Sequence, residues 1–96
     1  MSLVISDVIR KKLASKHGVT ETEVRQCFEN REHKTLVELR TQHLTDPPSH
    51  WFVAETNRGR LLKIVFVPVD GRYYLKTAFE PSDEAVNYYY RSLGLS

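Results

Sequence analysis

The chain has 96 residues, with 14 Lys and Arg against 12 Asp and Glu, for a formal net charge of +2. That length holds one domain, residues 1–96, with a modest core. A composition of 41% hydrophobic and 27% charged residues excludes an intrinsically disordered chain. No apolar run approaches the roughly 20 residues of a membrane-spanning helix, and no N-terminal stretch has the order of a secretory signal. The mild charge is well short of a protein that coats DNA, so any nucleic-acid surface has to be local. The single cysteine, Cys27, excludes an internal disulfide and fits a reducing cytoplasm.

Met1-Ser2-Leu3 carries no weight in this reading. Residues 4–15 place Ile5, Val8, Ile9 and Leu13 at helical spacing, with charges opposite. Lys16-His17-Gly18 ends that helix, with Gly18 in the left-handed conformation that closes a C-terminus. Thr20 and Glu23 then form a capping box for a second helix. That helix runs to about Asn30 and buries Val24, Cys27 and Phe28. Lys11, Lys12 and Lys16 read as a solvated face.

Thr35–Leu39 is predicted as a strand at a sheet edge, and Thr45-Asp46-Pro47-Pro48 as a loop. Three strands follow: Trp51–Thr56, the nearly all-apolar Leu61–Val69, and Arg72–Phe79. Asn57-Arg58-Gly59 suits a three-residue hairpin loop, and Asp70-Gly71 a two-residue type I′ turn. Ser82 caps a last helix, with Asp83 and Glu84 in its first turn and Ala85, Val86, Tyr89 and Leu93 toward the core.

The turns fix register, and register fixes faces. The type I′ turn pairs Val69 with Arg72, Val67 with Tyr74 and Val65 with Lys76; on the other face Phe66 meets Leu75, Ile64 meets Thr77 and Leu62 meets Phe79. The loop at 57–59 pairs Thr56 with Arg60, Glu55 with Leu61 and Val53 with Lys63. One face then carries Phe52, Ala54, Leu62, Ile64, Phe66, Tyr73, Leu75 and Phe79, covered by the two N-terminal helices. The other carries Glu55, Lys63, Arg72, Tyr74 and Lys76 among Trp51, Val53, Val65 and Val67.

On that reading Lys63 and Lys76 are diagonal neighbours, roughly 7–8 Å apart. Like charges so placed read either as part of a solvated charge ladder or as a phosphate-binding surface with Glu55 beside it.

Other motifs are absent or weak. There is no Gly-rich phosphate loop. His17, His33, His43 and His50 have no partner at metal-helix spacing, and one cysteine makes no zinc knuckle, so neither metal nor other cofactor is expected. Cys27 reads as a packed core thiol, His17 as structural, and His50 as a weak candidate acid. Tyr88, Tyr89 and Tyr90 read as packing residues, one of which could stack a base.

The order helix–helix–strands–helix resembles the RelE/ParE superfamily of bacterial toxins, and its BrnT-like branch in particular. Lys16-His17-Gly18-Val19-Thr20, ahead of a helix ending in Cys27-Phe28, is similar to that branch's K-H-G-V-S/T motif. Arg58-Gly59-Arg60-Leu61-Leu62 looks like its G-R-x-L strand opening, and Lys76-Thr77-Ala78-Phe79 with Glu84 and Tyr88 like its closing strand and helix. Two departures stand out. Phe79 occupies the place of a usual arginine, and the Asp and Asn of the first helix are missing. The chain also resembles small proteins labelled ADP-ribosyl-(dinitrogen reductase) hydrolases. The enzyme of that name is much larger and uses a two-metal carboxylate site, for which this chain lacks both the length and the acidic cluster.

The resemblance implies an α+β fold: two N-terminal helices on a twisted antiparallel sheet of three to four strands, with a C-terminal helix. It implies the toxin of a bacterial toxin–antitoxin pair, a metal-independent endoribonuclease acting on mRNA in the cytoplasm. Its partners would be a cognate antitoxin protein and RNA, with no membrane. Glu55 would take the ribose 2′ proton, Lys63 and Lys76 would stabilise the phosphate charge, and Arg60, Arg72 and Tyr74 would bind RNA. Two alternatives stay open: a non-enzymatic interaction module that keeps the fold, with Trp51 and the valines as anchors, and a ParE-like topoisomerase inhibitor.

Overall fold

The structure, a computed structural model, describes residues 2–39 and 47–94; Thr45 and Asp46 of the expected loop, and His43, lie outside them. In chain order the elements are β1 (Ser2–Val4), α1 (Asp7–Lys12), a π-helical turn (Leu13–His17), α2 (Glu21–Asn30), β2 (Leu36–Val37), β3 (His50–Glu55), β4 (Leu61–Val69), β5 (Arg72–Phe79) and α3 (Asp83–Ser92). The five strands form one sheet in the order β1-β5-β4-β3-β2. The fold is α+β as expected, but the sheet is mixed rather than antiparallel, because β1 pairs with β5 in parallel.

The N-terminus explains that difference. The helical spacing counted from residue 4 begins too early. Ser6 is the N-cap, its Oγ accepting from the Ile9 N–H at 3.2 Å, so the residues before it are free to join the sheet. Leu3 is thereby carried into the core, opposite Tyr73. The helix face shifts with the start: Ile9 and Leu13 pack inward, whereas Val8 points to solvent at 74% exposure. Gly18 ends the turn at φ 61°, and the Val19 N–H reaches back to the Leu13 carbonyl at 3.1 Å.

The capping box of α2 forms as expected. The Glu23 N–H donates to Thr20 Oγ1 at 3.2 Å, and the Thr20 N–H to Glu23 Oε1 at 3.1 Å. Val24 and Cys27 are fully buried, and the Cys27 thiol donates to the Ala54 carbonyl at 3.6 Å. Phe28 seats this helix on the sheet, its ring 4.9 Å from Phe52, 5.4 Å from Phe66 and 5.8 Å from Tyr73.

Both hairpins take the expected turns. Asp70 and Gly71 sit at φ 49° and 79°, the two positive values a type I′ turn requires. The other hairpin closes with the Thr56 N–H on the Arg60 carbonyl at 2.9 Å, and the β3–β4 register is the one expected. The β4–β5 register holds from Val69↔Arg72 to Phe66↔Leu75 and then slips by one: Val65 meets Thr77, Ile64 meets Ala78 and Lys63 meets Phe79. Lys76 is the extra residue, a β-bulge. A turn sets register only as far as the ladder stays regular, so every face assignment beyond Leu75 inverts. Ala78, not Thr77, lies opposite Ile64 and is fully buried, and Phe79 joins the face of Lys63.

The second face of the sheet is partly covered by α3. Ser82 caps this helix by accepting from the Ala85 N–H at 3.2 Å. Tyr89 is fully buried against Trp51 at 5.5 Å, and its hydroxyl donates to the Lys34 carbonyl at 2.8 Å. Leu93 packs on the core as expected, and Ala85 and Val86 are half-buried. Among the described residues no helix is long and apolar enough to cross a membrane.

Candidate functional site

Arg60, expected on RNA, is engaged in holding the fold together. Its Nε donates to Glu80 at 2.8 Å, its Nη1 to the Gly18 carbonyl at 2.9 Å and to Glu23 at 3.1 Å, and its Nη2 to the His17 carbonyl at 3.3 Å. The guanidinium thus ties the end of β5 to the turn before α2 and to the capping box. Fork geometry suits it to that task as well as to phosphate. The surroundings shift Glu23 too. Burial opposes its ionisation, but the Thr20 N–H and Arg60 outweigh that and hold the carboxyl below its ordinary value of 4.5.

Lys63 stands differently. It is only 7% exposed, in the middle of β4, on the face toward α3. Its ammonium lies 4.3 Å from the Trp51 ring centroid and 5.8 Å from that of Phe79. The bulge produces the second contact by setting Phe79 opposite Lys63. A cation held on an aromatic face out of water is attracted by about 2 kcal/mol.

Lys63 lines a groove of about 600 Å³ between the β2–β3 edge and α3. Glu38, Trp51, Asn87, Tyr88 and Arg91 share its walls. Leu36 lies opposite Trp51 and the Glu38 N–H donates to the Ser49 carbonyl at 2.8 Å, so Glu38 continues β2 on the same face as Lys63. It is 8% exposed. A buried carboxylate and a buried ammonium on one wall of a groove are costly to desolvate, and that cost is typical of sites that do chemistry.

The other expected site residues are spread out. Glu55 is exposed at the end of β3 and lines a different groove, of about 700 Å³, with Glu29, Arg31, His33 and Tyr90. It is diagonal to Lys63 on the sheet, but the Lys63 ammonium leans the other way, over Trp51. Arg72 and Tyr74 are exposed near the hairpin tip, opposite Val69 and Val67, and Lys76 is exposed at the bulge. None of these three lines the groove of Lys63. Lys76 is therefore not the neighbour of Lys63 that a regular ladder predicts.

Sequence reasoning missed Glu38 and Arg91. Glu38 was hidden in a strand read only as an edge, although an acid between Val37 and Leu39 was a signal. Arg91 follows Tyr88 by three residues, the spacing that puts two side chains on one helix face. Among the described residues, no group of three or more His, Cys, Asp or Glu is placed to hold a metal ion. Burial pushes the Cys27 thiol up to about 12, with the Glu23 charge adding and Arg60 opposing, so this thiol is inert packing.

No family model matches the chain, and neither does any curated protein. Among solved structures it is similar to the crystal structure of the Brucella abortus ribonuclease toxin, BrnT. The TM-score is 0.59 at 14% identity, over 86% of this chain and 99% of that one. A likeness at that identity shows the fold: the chain has a BrnT-like α+β architecture.

Proposed function

We propose that the protein is the toxin of a toxin–antitoxin pair and cleaves RNA in the groove between β2, β3 and α3. The observation that carries this is that a buried Lys63 and a buried Glu38 line one groove, on the fold of a ribonuclease toxin. Glu38 takes the proton of a ribose 2′-hydroxyl, and the 2′-oxygen bonds to its own phosphorus. The bond from phosphorus to the 5′-oxygen breaks, and that oxygen takes a proton from water. Lys63 stabilises the negative charge that grows on the phosphate in between. The ends are a 2′,3′-cyclic phosphate and a 5′-hydroxyl, and no metal takes part in any of these steps. Glu55, in its separate groove, stands outside this assignment. Arg72, Tyr74 and Lys76 serve as outlying phosphate and base contacts for a longer strand. The partners are an antitoxin protein and mRNA, in the cytoplasm.

The test is cleavage of a labelled RNA by the purified protein, together with growth on induction. Wild type is expected to cut and to arrest growth. Lys63→Met and Glu38→Gln are each expected to lose about a hundredfold or more of the cleavage rate, and Glu55→Gln to stay within a few-fold of wild type. A wild type inert in both assays would sink the reading. A second reading, an interaction module on the same fold, is favoured by the exposed apolar residues along the groove edge: Val37 at 43% exposure, Leu39 at 72% and Tyr88 at 50%. It predicts partner capture with no cleavage by any variant.

A further inference from the structure

Tyr88 has a place in the groove that packing alone does not explain. Its neighbour Tyr89 is buried, whereas Tyr88 is 50% exposed on the groove wall. Its ring is nonetheless held in position, stacked on Trp51 at 6.2 Å between centroids and 24° between planes. Trp51 in turn carries the Lys63 ammonium at 4.3 Å. A half-exposed ring with a fixed plane offers apolar surface at little entropic cost. Arg91, one helical turn on from Tyr88, is exposed and lines the same wall. An aromatic platform flanked by cations is the arrangement that binds unpaired nucleotides, the ring taking a base and the cations the phosphates beside it.

We propose that Tyr88 is the platform on which one unpaired base of a single-stranded nucleic acid stacks, with Arg91 holding the adjacent phosphate. The inference rests on the nucleic-acid reading of this groove, but not on cleavage. It selects single strands, because a base inside a duplex has both its faces already covered.

Trp51 is the only tryptophan in the chain and lines the groove, so its fluorescence reports occupancy. The probe is a deoxyoligonucleotide of about six residues, within the usual span of a single-strand site. Without a 2′-hydroxyl it cannot be cleaved by the proposed route. Wild type is expected to show a saturable change in Trp51 emission. Tyr88→Ala should weaken binding by about tenfold or more, and Tyr88→Phe, which keeps the ring, by less than about twofold. An abasic strand of the same length should bind wild type as poorly as the intact strand binds Tyr88→Ala, and annealing to a complement should abolish the change. Equal affinity for wild type and Tyr88→Ala, equal binding of abasic and intact strands, or no binding of any strand would each overturn the proposal. Binding through Tyr88 without cleavage of RNA would overturn the nuclease and leave the platform standing. Cleavage with a silent Tyr88→Ala would do the reverse.

Discussion

The two faces of the sheet bury charge in opposite ways. On the face toward α1 and α2, Phe28 closes over Phe52, Phe66 and Tyr73, and the arginine at its rim, Arg60, is held by two carboxylates and two carbonyls. On the face toward α3, one helix covers part of the sheet and leaves Lys63 and Glu38 along a groove. The first arrangement directs its charge at groups of the fold itself and so stabilises. The second holds charges out of water at a surface a ligand can reach, which is where differential binding of a developing charge is most effective. The largest effect expected from this contrast is Phe52→Ala. The ring is fully buried, and deleting it should cost about 3–5 kcal/mol, read as a lower urea midpoint. Lys63→Met should remove cleavage by the molecules that remain folded. If folded Lys63→Met instead cleaved RNA at the wild-type rate, the lysine would be a structural residue and the contrast would fail.

A middle-sized effect is expected at the rim. Arg60→Gln removes charge-assisted hydrogen bonds to Glu23 and Glu80 and should cost about 2 kcal/mol. It should also change the response to acid. Glu23 is held below its unfolded value of 4.5, so its ionised form stabilises the fold above that value. That contribution is lost as the pH falls from about the unfolded value through the lower folded one. Urea midpoints of wild type should therefore drop on the acid side, and those of Arg60→Gln should drop less. Parallel acid limbs would show that Arg60 and Glu23 are uncoupled. Cleavage per folded molecule should be unchanged, since Arg60 lies outside the groove.

The same contrast explains what the sequence could show. Local chemistry was legible: the Thr20–Glu23 box, Gly18, the Asp70-Gly71 turn and Ser82 each act within a few residues and appear where expected. So was the aromatic face under α2, because alternation reports burial directly. Two features depended on distant partners and were not legible. β1 exists because β5 offers a parallel edge, and a three-residue strand carries no periodicity of its own. The bulge at Lys76 arises where β4 and β5 meet, and nothing in Leu75-Lys76-Thr77 announces it. That second feature bears on the candidate site, because it moves Lys76 from the side of Lys63. Lys63 was found because the hairpin registers put it on the face opposite the core. Glu38 and Arg91, which share its groove, were not expected there because they reach it from β2 and α3, and only the folded chain brings them there.

The smallest expected effect is therefore the most pointed. Lys76 is exposed and is the one residue of β5 that the ladder leaves without an opposite number. Lys76→Ala should leave stability within about 0.5 kcal/mol of wild type. If Lys76 is an outlying phosphate contact, the variant should bind RNA a few-fold more weakly and lower the slope of log affinity against log salt by about one, with little change in the cleavage rate at saturation. A regular ladder predicts something else: Lys63 and Lys76 side by side on one phosphate, so that Lys76→Ala would lose cleavage as fully as Lys63→Met. Measuring both variants at saturating RNA separates the two, because a binding contact is then silent and a charge-stabilising one is not. A hundredfold loss in Lys76→Ala would mean that the lysine reaches the reacting phosphate despite the bulge, and the groove between β2, β3 and α3 would no longer contain the whole site.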